Sequence, residues 1–180
     1  VHDRPRNTRA DDVPSLSQQY DIAAHMTRLG IPRHSDLVGK TLAETRIGTI
    51  LGVQVVGINR RGRILAAPPP SEVLQPEDGL IVESSGVGGD RLKEELFSLG
   101  QLQIEPESVL LDQLKSQAFL FAEMALAPSS DLAGRTIRQL DFRNHLGIHV
   151  LAVRRGDRIQ RTGLRDRAID AQDILLVQTS

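Results

Sequence analysis

The stretch that decides the fold is Ser35-Asp36-Leu37-Val38-Gly39-Lys40-Thr41-Leu42, because it returns 95 residues later as Ser130-Asp131-Leu132-Ala133-Gly134-Arg135-Thr136-Ile137. The same register continues without a gap, and Arg60, for example, matches Arg155. The matches fall on glycines, apolar positions and turns, which two copies of one fold would share. Two copies are too few for a solenoid, so the repeat predicts a tandem pair of small domains.

Composition limits the classes of protein to which the chain can belong. Each repeat has about 50 core residues, which is near the lower limit for independent folding, so we expect the copies to pack on each other, on the linker or on a second chain. The chain of 180 residues contains no cysteine, which excludes disulfides and thiolate metal sites. The formal net charge is -1 and only 3% of the residues are aromatic, which argues against nucleic-acid binding.

The repeat divides the chain into four segments. Pro and Arg in the first segment predict a loose, polar lead-in. Between the repeats, Asp90 is a suitable N-cap for a helix over Arg91–Leu99, which Gly100 would end. The predicted segments are the lead-in 1–20, the first domain 21–85, the linker with a helix 86–116 and the second domain 117–180.

The order of elements in each repeat predicts an α+β fold. Thr41 and Thr136 are suitable N-caps for short helices, and β-branched runs ending in glycine turns predict hairpins. Each domain is therefore expected to be a mostly antiparallel sheet with short helices, and a partly helical linker joins the two. The predicted helices are Leu42–Ile47 and Ile137–Phe142, and the predicted strands are 22–29, 117–124, Val53–Asn59, Ile148–Arg154, two return strands from Arg63 and Arg158, Leu80–Glu83 and Ile174–Val177.

The repeated pattern S-x-L-x-G-[KR]-T-[LI], followed by a strand, a basic turn and a D-x-[LI]-[IL]-V strand, resembles the TrkA C-terminal domain, also called the RCK C-terminal domain. Gly134–Arg143 and Val150–Gly156 are similar to a subgroup in which paired copies lie in the cytoplasmic region of divalent-anion/sodium symporter-like permeases. The resemblance implies a part of a multi-span membrane protein that lies on the cytoplasmic face of the cell membrane.

The same resemblance implies a regulatory function without catalysis. Members of the family dimerise, and some sense a small ligand such as cyclic di-AMP. We therefore expect a homodimer whose partner is a transmembrane transporter region in cis or a transporter subunit in trans. No Gly-x-Gly-x-x-Gly fingerprint follows a strand, so neither NAD nor ATP binding is carried over. No resident cofactor is predicted, and a ligand would be a small anion or a nucleotide.

Arginines of the second hairpin are the leading candidates for an anion site. The planar fork of arginine can hold a phosphate or a carboxylate through two hydrogen bonds. Charged residues also protect an edge strand from aggregation, so a solvated edge is the alternative. The candidates are Arg154, Arg155, Arg158 and Arg161, with Arg60 from the first repeat.

Arg60 and Arg155 occupy equivalent places, which favours either a ligand contact or a structural ion pair. Asp78 and Asp173 precede the last strand of each repeat and are the expected ion-pair partners. Fixed acids of this kind commonly pair with a cation or cap a turn.

Other polar motifs favour structural roles over ligand binding. The residues Ser35, Asp36 and Gly39, with Ser130, Asp131 and Gly134, predict turn chemistry, and ligand binding by their backbone N–H groups is the alternative. His145 and His149 have helical metal-binding spacing, but Gly147 separates them, so no metal site is predicted. The glycine-rich run 84–90 lacks the lysine of a phosphate-binding loop and is interpreted as a linker.

These observations leave three functional classes. The first is a regulatory, ligand-sensing region of an ion transporter, with potassium or another cation, or a sodium-coupled anion, as the transported species. The second is a peripheral TrkA-type subunit that gates a separate potassium transporter, or a purely structural dimerisation module. An enzyme is disfavoured, because no nucleophile–base pair can be assembled from the sequence.

Overall fold

The computed structural model describes residues 15–84, 94, 102–104 and 119–179. They form two lobes, each an antiparallel sheet with short helices, as the repeat predicts. The first lobe comprises 15–84 with 102–104, and the second comprises 119–179.

The first lobe is a five-stranded sheet in the order β3-β2-β4-β1-β5, and every described pairing is antiparallel. Its helices lie before β1 and between β1 and β2. Its elements are α1 (Leu16–Gln19), a 3-10 helix (Ile22–His25), β1 (Met26–Gly30), α2 (Leu42–Thr45), α3 (Ile47–Leu51), β2 (Gln54–Arg60), β3 (Arg63–Ala66), β4 (Gly79–Glu83) and β5 (Gln103–Ile104).

The second lobe is a four-stranded antiparallel sheet in the order β6-β9-β7-β8, which repeats the arrangement β1-β4-β2-β3 of the first. Only the equivalent of β5 is missing from its described residues. Its elements are β6 (Leu120–Ala125), α4 (Ile137–Leu140), α5 (Phe142–Leu146), β7 (His149–Arg155), β8 (Arg158–Gln160), a 3-10 helix (Leu164–Asp166) and β9 (Ile174–Thr179).

The predicted helices begin at Leu42 and Ile137 as expected, but each ends sooner than predicted and a second short helix follows it. Thr41 and Thr136 are the predicted N-caps, and each accepts a hydrogen bond from a backbone N–H one turn later. The chain then reaches the left-handed region at Arg46 (φ 52°) and Asp141 (φ 43°), which ends one helix and starts the next. A left-handed residue cannot continue a right-handed helix.

Two predictions concern the chain outside the repeats. Residues 15–20 differ from the loose lead-in that was expected, since α1 ends beside the fully buried Tyr20. The predicted linker helix Arg91–Leu99 and the glycine-rich run lie almost wholly outside the described residues.

A core between the two sheets joins the lobes. Both β2 and β7 carry a bulge, and the extra residues are Val56 and Leu151, which are equivalent in the repeat. A bulge directs two successive side chains to one face, so Leu151 and Ala152 both face the other lobe. The side-chain amide of Gln178 adds a hydrogen bond of 2.8 Å to the carbonyl of Val56. The core consists of Tyr20, Ile22, Met26, Val56, Ile81, Phe119, Leu151, Ala152 and Leu176.

Replacing Leu151 with Ala is expected to lower the free energy of unfolding by about 2–5 kcal/mol, because it removes methyl groups from the core that both sheets share. Urea denaturation measures this change, with far-UV circular dichroism reporting both lobes and the fluorescence of Tyr20, the only tyrosine, reporting their interface.

The matched control is Leu146→Ala, since Leu146 is 61% exposed and its truncation should change stability by less than about 0.5 kcal/mol. Two separate transitions in the wild-type chain, one for each lobe, would contradict the shared core.

Candidate functional site

Arg60 is held by acidic residues of its own lobe. Its Nε and a terminal nitrogen donate to the two carboxylate oxygens of Asp78 at 2.9 and 2.8 Å. The same guanidinium contacts Glu72 and the carbonyl of Val73, each at 2.8 Å. Asp78 is buried and also accepts the backbone N–H of Gln75 at 2.8 Å. Arg60 and Asp78 therefore form the structural ion pair that the sequence offered as the alternative to a ligand contact.

Arg155 repeats this arrangement with the buried Asp173. Its Nε and a terminal nitrogen lie 2.7 and 3.0 Å from the carboxylate oxygens, and Arg167 adds a contact of 2.9 Å. Burial alone would raise the pKa of Asp173, but the hydrogen bonds from Arg155 and from the backbone N–H of Asp170, with the two positive charges, lower this pKa below its ordinary value. The pair fixes β7 to the turn before β9.

Arg154 and Arg161 are bound to Tyr20, at the contact between the lobes. The Tyr20 hydroxyl donates to Glu123 and accepts from Arg154 Nε at 3.0 Å, while Arg154 also contacts Glu123 at 3.0 Å. Arg161 donates to the Tyr20 carbonyl at 2.7 Å. Hydrogen bonds from Tyr20 and Arg154 lower the pKa of Glu123. These two arginines therefore attach the segment before β1 to the second lobe.

The structure does not gather the predicted arginines into one anion site. Arg60, Arg154, Arg155 and Arg161 each have partners within the chain, and Arg158 lies exposed on the edge strand β8. Of the five, only Arg161 lines the cleft described below.

The repeated Ser-Asp-x-x-Gly segments form turns at equivalent places. Ser35 Oγ accepts the backbone N–H of Leu37 at 3.2 Å, and Ser130 Oγ accepts that of Leu132 at 3.3 Å. Gly39 and Gly134 have φ angles of 84° and 83°, where glycine avoids the strain of a side chain. Asp36 and Asp131 are exposed beside them.

The two histidines of the predicted pair have separate surroundings. His145 Nδ1 lies 3.2 Å from the carbonyl of Leu140. His149 is buried, and its Nδ1 lies 3.1 Å from Gln54 Nε2. Within the part of the chain that the structure describes, no group of three or more His, Asp or Glu residues is placed to hold a metal ion.

A cleft of about 710 Å³ lies between the lobes, and equivalent residues of the two repeats line both of its walls. Gln54 and His149, which are equivalent in the repeat, contact each other in this lining. The equivalent pairs in the lining are Leu42 and Ile137, Ala43 and Arg138, Arg46 and Asp141, Ile47 and Phe142, Gly48 and Arg143, Thr49 and Asn144, Val53 and Ile148, Gln54 and His149, Val55 and Val150, and Pro70 and Arg165.

Positive charge predominates in the lining, which holds five arginines against Glu83 and Asp141. Arg138 pairs with Asp166 outside the lining. Arg46 and Arg165 are exposed and form no ion pair with any described residue. An anion is therefore the class of ligand that this cleft suits, because arginines without acid partners can bind one directly.

Two side chains in the wall contributed by the second lobe, Arg143 and His149, each have one buried nitrogen without a hydrogen-bond partner among the described residues. Arg143 donates to the carbonyl of Pro68 at 2.9 Å, but its Nε is buried without a partner among the described residues. Burial lowers the pKa of Arg143. Burial first, and then the charge of Arg143, lower the pKa of His149 to about 4, so its ring is neutral at pH 7. Because the amide nitrogen of Gln54 can only donate, His149 Nδ1 accepts and its proton lies on Nε2, also without a described partner.

The sequence interpretation did not propose Arg46, Arg138 or Arg143 as site residues. A signal was available in the repeat, since residues at equivalent positions lie face to face around the axis between the copies. Only the packing of the lobes shows which of the equivalent positions line the cleft.

The family model of the TrkA-C domain matches residues 26–110 and 121–180. These two matches cover most of the chain and coincide with the two lobes. The chain belongs to the TrkA-C domain family, and it carries two copies of the domain in tandem.

The curated relatives are transporters. The chain is 28% identical over 189 residues to sodium/sulfate cotransporter 2 of Chlamydomonas reinhardtii, a match that covers 96% of this chain and 21% of the relative. It is 28% identical over 167 residues to an uncharacterized transporter of Synechocystis, covering 91% and 27%. The chain thus spans about a quarter or less of the length of these relatives. No helix among the described residues is long and apolar enough to cross a membrane.

Similar solved structures include RCK domains. The RCK_C domain dimer of S. agalactiae BusR, solved in complex with c-di-AMP, is 19% identical, with a TM-score of 0.36 over 42% of this chain and 88% of that chain. The GsuK RCK domain is 13% identical, with a TM-score of 0.39 over 89% and 62%.

Replacing Asp173 with Asn is expected to lower the free energy of unfolding at pH 7 by about 1–3 kcal/mol, because two arginines lose the charge that they bind. The pKa of Asp173 is lowered in the folded state, so its stabilisation is complete above the unfolded pKa of about 4 and is lost as the pH falls through the folded value.

Urea denaturation from pH 7 to pH 3 measures this difference. The gap between wild type and Asp173→Asn should stay constant down to about pH 4 and then shrink. The control is Asp170→Asn, whose carboxylate is 57% exposed and 3.5 Å from Arg155, and which should cost less than about 1 kcal/mol. Equal losses for both variants would contradict the assigned role of Asp173.

Proposed function

We propose that the chain is the cytoplasmic regulatory region of a membrane ion transporter, and that it works without catalysis by binding a small anion in the cleft between its lobes. The observation that carries this proposal is the cleft itself, which two copies of a TrkA-C domain line with equivalent residues and an excess of arginine. Sodium-coupled anion transport is the proposed activity of the whole protein, and it is supported by the names of the relatives.

Regulation requires the ligand to bind two arrangements of the lobes with different affinity. A ligand in the cleft would contact both walls and therefore favour one spacing of the lobes over another. Arg46 belongs to the first wall, while Arg143, Arg161 and Arg165 belong to the second. An anion that bridges Arg46 and Arg165 would hold the two walls together. The resulting change in the spacing of the lobes would be transmitted to the transmembrane region through the chain that connects the lobes to it.

The partners expected from the family resemblance remain part of the proposal. The transmembrane region is proposed to lie in cis, with a transporter subunit in trans as the alternative. A homodimer is proposed as well. The second candidate is the purely structural module. It is supported by Arg60, Arg154 and Arg155, because each of them forms hydrogen bonds to residues of its own chain.

Saturating ligand is expected to raise the melting temperature of the chain by about 5–10 °C at about 100 times its dissociation constant. The probes are cyclic di-AMP, ATP and inorganic sulfate, each measured by differential scanning fluorimetry and then by titration calorimetry. The double variant Arg46→Ala with Arg165→Ala should weaken binding of the active probe at least tenfold, because each charge-assisted hydrogen bond contributes about 1.5–3 kcal/mol.

The matched control is the double variant Arg63→Ala with Arg158→Ala. These two arginines are equivalent in the repeat, lie exposed on the edge strands β3 and β8, and do not line the cleft. It removes the same charge and should leave binding unchanged. An equal loss in both double variants would place the ligand outside the cleft, and a wild-type chain that responds to none of the probes would favour the structural module.

A further inference from the structure

Three buried polar atoms of the second lobe, where it meets the first, lack a hydrogen-bond partner among the described residues. They are Arg143 Nε, His149 Nε2 and Gln178 Oε1. His149 and Gln178 lie opposite each other on β7 and β9, and Arg143 is close enough for its charge to lower the pKa of His149. Buried polar atoms of folded proteins are nearly always satisfied, so three unsatisfied atoms in one place indicate a bound molecule.

Each of these three side chains contacts the first lobe through its other polar atoms, and those contacts fix what the unsatisfied atoms can do. Because Gln178 Nε2 donates to a carbonyl, its Oε1 is an acceptor, and because His149 Nδ1 accepts from an amide, its Nε2 carries the proton. The site therefore offers two donors and one acceptor, and His149 and Gln178 are only 1% and 0% exposed. The contacts are Arg143 to the carbonyl of Pro68 at 2.9 Å, His149 to Gln54 at 3.1 Å and Gln178 to the carbonyl of Val56 at 2.8 Å.

The charge of Arg143 favours an anion over a water molecule at these atoms. Its guanidinium is half-buried, and among the described residues it is bound only to the neutral carbonyl of Pro68. A buried charge is costly unless an opposite charge accompanies it. Arg46 and Arg165 line the same cleft and form no ion pair with any described residue either. A water would satisfy the hydrogen bonds alone, whereas an anion would also neutralise the charge.

The acceptor restricts the class of anion, because Gln178 Oε1 needs a hydrogen from the ligand. Sulfate carries no proton at neutral pH, and a phosphate monoester has mostly lost its last one. Inorganic phosphate keeps at least one. We propose that the end of the cleft lined by Arg143 and His149 binds inorganic phosphate, with Arg143 Nε and His149 Nε2 donating to its oxygens and its hydroxyl donating to Gln178 Oε1. This inference rests on the proposed function and names the ligand of the same cleft.

The first lobe does not repeat this arrangement, although its residues are equivalent by position. Gly48 corresponds to Arg143, and a Cβ there would lie 3.0 Å from the carbonyl oxygen of Val53, which leaves little room for a side chain. Glu83 corresponds to Gln178, and a carboxylate at this position disfavours an anion. The tandem chain therefore has one phosphate site of this kind, and the second lobe supplies its three ligand-binding atoms.

Titration calorimetry of the full chain at pH 7.5 tests the class of ligand, with inorganic phosphate, sulfate and glycerol 3-phosphate as probes. Phosphate should bind at least tenfold more tightly than either of the others, because a ligand without the hydrogen leaves Gln178 Oε1 unpaired against a negative oxygen. Glycerol 3-phosphate distinguishes free phosphate from a monoester. Sulfate or the monoester binding as tightly as phosphate would overturn the proposal.

Substitutions test the place of binding. Arg143→Gln should weaken phosphate binding at least tenfold, because it removes a charge-assisted hydrogen bond. The matched control is Arg138→Gln, which removes the same charge from the same wall, but from a side chain that is exposed and paired with Asp166. It should change binding less than about threefold. Gln178→Met removes the acceptor, so the preference for phosphate over sulfate should disappear, and this ratio is insensitive to a general loss of stability.

The outcomes separate this inference from the proposed function. Phosphate binding that Arg143→Gln does not weaken, or a preference that Gln178→Met leaves intact, would overturn the inference. No response to phosphate would overturn it too and leave a water at the three atoms, whereas binding of cyclic di-AMP or ATP that depends on Arg46 and Arg165 would then still support the proposed function. A chain that binds none of these anions would overturn both. If Gln178→Met does not fold, the wild-type ratio and Arg143→Gln still decide.

Discussion

The core between the two sheets determines how the chain is organised, because each sheet has short helices on one face only. Leu42 and Ile47 pack on the outer face of the first sheet, and Leu140 and Phe142 on that of the second. The apolar side chains on the inner faces are removed from water when the two faces pack together. The bulge in β7 turns Leu151 and Ala152 inward. The bulge in β2 turns Val56 inward beside Gly57, against which the ring of Phe119 packs.

Packing two copies of one fold face to face brings equivalent residues together near the axis that relates them. Gln54 and His149 show this, since they are 95 residues apart and in contact. The cleft beside them has walls of equivalent positions for the same reason. A cleft between the lobes therefore follows from the inter-lobe core, and neither lobe forms it alone.

The repeat was sufficient to predict the α+β fold, the antiparallel sheets and the N-caps Thr41 and Thr136. It was not sufficient to predict the division of each helical segment, because Arg46 and Asp141 adopt a positive φ that has no clear signature in a non-glycine residue. Nor could it assign the arginines, since the partner of Arg154 is Tyr20, far away in sequence. An arginine that faces a buried carboxylate and one that faces a cleft have the same letter in the sequence.

The lobes differ most where they could have been symmetric. At the helix junction that lines the cleft, the first lobe has Arg46 and the second has Asp141, so equivalent positions carry opposite charge. Gly48 in one wall corresponds to Arg143 in the other, which crosses to the carbonyl of Pro68. A symmetric ligand would therefore meet unlike surroundings at its two ends. In the proposed site, negative charge would be favoured near Arg46 and opposed near Asp141, so a symmetric anion would not bind symmetrically there.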